Sequence, residues 1–229
     1  MPRARRSKRS RHPVTDVGPD AVERSELCDL LDELGPDAPT LLVPWTTRDL
    51  VAHLVLRERD PLAAPGLVLG GAWGRFAERR RQLRSRNDYA GMVATVRSGP
   101  PPGFFRIGWV RRVPNLNELF VHHEDVRRAN GRPARPSAPE LDAALWHNLG
   151  IGTWLLTRQL REAGLDLEWA GTGQVRRVRR ARRGTPTVHL VGRPGELMLY
   201  LFGRKAVAEV ERRGPAGAVE AVERAPFGM

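Results

Sequence analysis

Glu118 and His122 stand four residues apart in the run NLNELFVHHEDVRRAN, so on a helix both side chains leave the same face about one turn from each other. A carboxylate oxygen and a neutral imidazole nitrogen both suit zinc, and a third ligand from a neighbouring helix would leave one coordination position open for water or substrate. His53, within another helical segment, is the natural third. A divalent ion held this way can activate water or stabilise a thiolate, since both tasks use positive charge to lower a pKa.

The spacing alone leaves other readings open. Asn115 and Glu118 also have capping-box spacing, so the carboxylate could close the helix N-terminus instead. On a helical wheel Leu116, Leu119, Phe120 and Val126 define the apolar face, and His123 lies closer to its centre than His122 does. Periodicity therefore does not choose between the two histidines.

The other reactive side chains are read more plainly. The single cysteine, Cys28, lies on the flank of an apolar helical stripe, where a half-buried inert thiol is expected. It can form neither an internal disulfide nor a cysteine zinc site by itself, so thiol chemistry would need sulfur from another molecule. His12, His147 and His189 are read as solvated or satisfied histidines. Arg106, Arg111, Arg112, Arg127 and Arg128 lie near the helix of Glu118 and could receive an acidic cofactor or substrate through bidentate contacts. Arg127 and Arg128 are the candidate cofactor-binding pair, and surface solvation is the ordinary role of such arginines.

These residues need elements to hold them. Leu27, Leu30, Leu31 and Leu34 recur at helical spacing before Gly35-Pro36, predicting a helix over 19–34. Thr46 and Asp49 have capping-box spacing and open a second helix carrying Leu50, Val51, His53, Leu54 and Val55, which should end near Asp60-Pro61. Between Pro61 and Pro114 the signals are mixed: Gly70-Gly71, helical pieces near 73–84 and 87–97, then the breaker run 99–103. A long irregular excursion over the mouth of a site is expected. The Glu118 helix follows Pro114 and stops at Gly131-Arg132-Pro133, and another is predicted over 139–163, with Gly150 and Gly152 permitting close packing. After Gly164 the texture predicts a strand in VRRVRRARRG, a strand in TVHLVG, a helix in GELMLYLFGR, a strand in AVAEVERRG and a final helix. The expected fold is mainly α: a four-helix bundle over 15–164 with a small α/β appendage over 165–229, preceded by a disordered basic arm over 1–14.

Composition bounds the function. The net charge is +12, but six basic residues lie in 1–14 and six more are Arg176, Arg177, Arg179, Arg180, Arg182 and Arg183. Removing those twelve from the 38 basic residues leaves 26, equal to the 26 acidic ones. Attraction to a polyanion would come from the arm and one arginine run, which argues against a nucleic-acid groove. No helix-turn-helix, zinc-finger spacing, phosphate loop or GxSxG turn is present. Neither a membrane span nor a signal-peptide core is visible, so the cytoplasm is the expected location.

One set of words chooses among these readings. LCDLLDELGPDAPT, WTTRDLVAHLVLRERDPLAAPG, NELFVHHEDVRRA and GELMLYLFGR together make the chain resemble the actinobacterial metal-binding branch of the DinB-like superfamily, which is related to the mycothiol-dependent maleylpyruvate isomerases. The resemblance implies a DinB-like four-helix bundle, His53 at the metal-ligand position of WTxxDLxAHL, and the ExxxH pair on Glu118 and His122. It places Asp125 one turn beyond His122, where it can partner the imidazole. For relatives that use mycothiol it implies that the cofactor's sulfur binds the ion as thiolate and attacks an electrophilic carbon. Relatives commonly have Cys-x-Gly before the helix tryptophan, where this chain has Leu42-Val43-Pro44. The leading expectation is a zinc-dependent thiol transferase or isomerase acting on a small electrophile. The alternatives are a hydrolase using metal-bound water with Asp125 as general base, and a metal-stabilised module whose basic segments contact nucleic acid or protein.

Overall fold

The computed structural model describes residues 18–60 and 71–228. The basic arm expected over 1–14 lies outside them. Among the described residues the fold is mainly helical, with one four-stranded sheet.

Helix α1 (Pro19–Leu34) has proline at its first position, where no backbone donor is needed, and stops at Gly35, whose φ of +75° favours glycine. Helix α2 (Thr47–Arg59) opens with the expected capping box: the Thr46 amide donates to Asp49 Oδ2 at 3.1 Å. Helix α3 (Gly71–Arg84) packs on α2, and α4 (Tyr89–Arg97) packs on both α1 and α2. Leu27, Leu31, Leu50, Leu54, Met92, Val93 and Val96 form the core between them.

The chain then crosses residues 98–115 as short turns, ending in a π-helical segment, Arg111–Asn115, that contains Pro114. A widened turn accommodates a residue that lacks an amide proton. It leads into α5 (Leu116–Ala129), the central helix. Leu119 and Val126 of α5 join the core of α1, α2 and α4, whereas its Leu116, Phe120 and Val121 join a second core.

The helix expected over 139–163 is shorter. α6 (Pro139–Asn148) is followed by a break at Gly152, whose φ is +74°, and by the short α7 (Thr153–Leu156). Gly150 serves close approach, because a Cβ there would lie 2.0 Å from Arg176 Nη1. The residues beyond α7 include a strand that was not expected: β1 (Gly164–Trp169), which becomes the inner strand of the sheet. It pairs antiparallel with β2 (Gln174–Arg179) and parallel with β3 (Thr187–Gly192), and β3 pairs antiparallel with β4 (Glu211–Arg213). Helix α8 (Pro194–Leu201) and helix α9 (Ala216–Arg224) complete the C-terminal unit. Leu165, Leu167, Val188 and Leu190 point to one face and meet α6, α8 and α9 in the second core. Arg176, Arg177 and Arg179 of the arginine run lie on β2, an edge strand, where charge discourages pairing with another chain, and the other three follow it. Among the described residues no helix is long and apolar enough to cross a membrane.

Candidate metal centre

Helices α2 and α5 bring His53, Glu118 and His122 together. Glu118 Oε2 lies 3.4 Å from His122 Nε2 and 3.9 Å from His53 Nε2. The two imidazole rings meet edge to face with centroids 5.1 Å apart, and one ligand atom from each of the three residues lies within 4.8 Å of the others. Two donors each about 2.0–2.2 Å from a tetrahedral zinc are separated by about 3.4 Å, close to the carboxylate-to-His122 distance.

His53 fits a cation best. Both of its ring nitrogens are buried and have no hydrogen-bond partner among the described residues. A buried polar atom without a partner costs about 1–3 kcal/mol, and a metal ion would satisfy it. Burial also holds this imidazole below its usual pKa, so it is neutral and able to ligate at neutral pH.

His122 has a different environment. Its Nδ1 is 3.0 Å from Asp125 Oδ2, which leaves Nε2 facing Glu118. Burial pushes the ring toward neutrality, but Asp125 and Glu118 outweigh it and raise the pKa. Asp125 is fully buried and clamped at both oxygens by Arg204, at 2.9 and 2.6 Å. Its carboxyl titrates below the usual range because Arg204 and His122 overcome the penalty of burial. For Glu118 burial likewise raises the pKa, and His122, His53 and Arg57 reverse it, leaving the group ionised well below the ordinary value. Glu118 is the most exposed of the three, its side chain 17% accessible, and marks the open side.

Arg57, which sequence reasoning did not single out, stands 3.7 Å from Glu118 Oε2. It donates to Asn115 Oδ1 and to the Pro114 carbonyl, and its guanidinium lies over the Phe105 ring. Its signal was its place one turn after His53 on the same helix. Asn115 is thus occupied with Arg57 and makes no side-chain cap to α5.

Arg127 and Arg128 are not brought to this cluster. Both pair with Glu124, and Arg128 also bonds Glu196 and the Val207 carbonyl. A second acid and histidine group, Glu23, Glu26 and His123, is compact enough for a metal. There the Arg135 guanidinium already bonds both Glu23 oxygens at 3.0 and 2.9 Å, supplying the positive charge. Cys28 is fully buried, and burial pushes its thiol up to about 11.

No protein-family model matches the chain, and no curated protein matches it in sequence. Its fold is similar to that of a mycothiol-dependent maleylpyruvate isomerase seen by crystallography, at 17% identity and a TM-score of 0.53 over 86% of this chain and 92% of that one. The crystal structure of a histidine-to-alanine variant of such an isomerase gives the same TM-score and coverage at 14% identity. The chain is thus related in fold to those enzymes.

Proposed function

We propose that the protein is a metal-dependent enzyme of the thiol transferase or isomerase kind, using mycothiol or another low-molecular-weight thiol on a small electrophilic substrate. The observation that carries this reading is the convergence of His53, Glu118 and His122, with the nitrogens of His53 buried and unpartnered. The donor set suits zinc, which when bound supplies positive charge that lowers the pKa of a thiol or water.

The chain's own residues supply the rest. His53 offers a neutral nitrogen, His122 a nitrogen whose proton a bound ion would displace, and Glu118 the negative charge. Asp125 holds the His122 ring through Nδ1, and with both oxygens held by Arg204 it is an orienting group rather than a free general base. That favours thiol chemistry over the hydrolase reading. Cys28 cannot act as the nucleophile, being inside the core of α1, α2 and α4 with a raised pKa, so the sulfur must come from a diffusible thiol. The likeness in fold to the mycothiol-dependent isomerases supports a thiol of that kind.

The test is metal content of the purified protein, wild type beside His53→Ala, Glu118→Ala and His122→Ala, followed by turnover of electrophiles including maleylpyruvate with and without mycothiol. Near-stoichiometric metal lost in all three variants, with thiol-dependent turnover by wild type, is expected. A wild type that holds no metal after loading, or turnover indifferent to thiol, would overturn the proposal.

A further inference from the structure

Arg204 reaches the candidate metal centre from the C-terminal unit, 79 residues away in sequence from the aspartate it holds. Its place is fixed by the end of α8. Gly203 adopts a φ of +87°, its amide bonds the Tyr200 carbonyl, and the Arg204 amide bonds the Leu199 carbonyl at 2.9 Å. This is a Schellman cap, which requires the left-handed glycine and sets the direction of the next residue. A Cβ at Gly203 would lie 2.9 Å from the Phe227 carbonyl oxygen, so the turn is packed from outside as well. Arg204 Nη1 bonds the Phe202 carbonyl at 2.6 Å, and Nε and Nη2 form a fork on Asp125. The Asp125 backbone is anchored too, its carbonyl accepting from the Leu41 amide at 3.1 Å.

We infer that Arg204 is a positioning residue of the metal centre, acting through Asp125 on His122, and that the C-terminal unit is through it a part of the site. The inference rests on His53, Glu118 and His122 being the ligands. With both oxygens held by Arg204, Asp125 accepts a hydrogen bond from His122 Nδ1–H at 3.0 Å, which keeps Nε2 turned toward Glu118 and fixes the ring in place. Without the fork, Asp125 is free to rotate, and the ring loses the contact that selects its tautomer and orientation. Such outer partners of ligand histidines typically change metal affinity by about 10–100-fold. The coupling is reciprocal: an ion that needs the fork also strengthens the docking of α8 onto α5.

The experiment measures zinc affinity of the full chain by competition with a chromophoric chelator. Wild type is compared with Arg204→Gln, Arg204→Lys, Asp125→Asn and the Arg204→Gln/Asp125→Asn double variant. Nitrogen NMR of the imidazoles in the metal-free proteins, at a pH high enough for the ring to be neutral, reads the His122 tautomer. Affinity should fall about 10–100-fold in Arg204→Gln and less in Arg204→Lys, which keeps the charge without the fork. Arg204→Gln should add less than about twofold in the Asp125→Asn background, as expected for residues acting in one chain. The His122 Nδ1–H signal of wild type should be lost or averaged in Arg204→Gln. Wild-type affinity in Arg204→Gln, an additive double variant or an unchanged tautomer would overturn the inference while leaving the three-ligand site standing. Absence of zinc binding by wild type would remove the site itself and the inference with it. If Arg204→Gln does not fold, Arg204→Lys decides: wild-type affinity and tautomer in it would refute the role of the fork.

Discussion

Stability and function make opposite demands on His53. Its imidazole occupies core volume beside Trp45, at a centroid distance of 5.4 Å, yet neither nitrogen has a hydrogen-bond partner among the described residues. Replacing it with an apolar residue of similar size removes two buried unsatisfied atoms. His53→Leu should therefore leave the melting temperature of the metal-free protein unchanged or raise it by up to roughly 4 °C, equivalent to about 1 kcal/mol, while abolishing metal uptake. Scanning calorimetry and metal analysis of the same samples check both halves, and a markedly lower melting temperature would show that the fold uses the imidazole. Glu23 presents the reverse case. It accepts from Arg135 and bonds His123 at 2.7 Å, and although burial raises its pKa, those partners bring it below the ordinary value. A depressed carboxylate contributes stability that is fully present above its unfolded pKa of about 4.3 and is lost as pH falls through the folded value. Glu23→Gln should cost about 3 kcal/mol at neutral pH, since it breaks a buried pair from one side. The gap to wild type in urea unfolding should close progressively below about pH 4; a gap independent of pH would exclude the ion pair as its origin.

At the scale of elements, what was legible in the sequence were the helices whose ends carry their own punctuation. Gly35 ends α1, and the Thr46–Asp49 box opens α2. The strand β1 was missed, although Leu165, Leu167 and Trp169 alternate onto the core face, because GLDLEW directly follows a leucine-rich stretch that continues a helical rhythm. Nor could periodicity separate His122 from His123. Helix α5 is central and buried on opposite faces, so both histidines are inside, each with its own carboxylate. The long pairing of Arg204 with Asp125 leaves no local trace in the chain. The face of α5 opposite the candidate ligands meets α8 through a glycine: a Cβ on Gly195 would lie 2.7 Å from Phe120 Cζ. Phe120 cannot easily yield, because the Arg135 guanidinium is stacked 4.9 Å from its ring centroid. Gly195→Ala should therefore destabilise the protein by about 1–3 kcal/mol, as overpacking does, with metal stoichiometry unchanged. Thermal melts and metal analysis would check it, and wild-type stability would mean that the ring moves aside freely.

For the whole molecule the consequence of a shared central helix is cooperativity. Leu119 and Val126 of α5 lie in the core of α1, α2 and α4, while Leu116, Phe120 and Val121 lie in the core built with α6, the sheet, α8 and α9. Neither core can be dismantled without uncovering one face of α5. Ion pairs reinforce the join: Arg128 bonds Glu124 on its own helix and Glu196 on α8, and Arg204 bonds the buried Asp125. A chain truncated after residue 163 would expose the apolar side chains of α5 and α6 that face the sheet and break the buried Arg204–Asp125 pair from one side, a loss of about 3–5 kcal/mol. That is comparable to the whole stability of an average domain, about 5–15 kcal/mol, before any lost apolar burial is counted. The truncated chain should accordingly fail to fold, and the full chain should melt in one calorimetric transition with equal van't Hoff and calorimetric enthalpies. Because the three candidate ligands are assembled only when α2 and α5 are packed, saturating zinc should shift that whole transition upward rather than part of it. Two transitions, with zinc moving only one of them, would show instead that the helical part carries the site independently of the sheet.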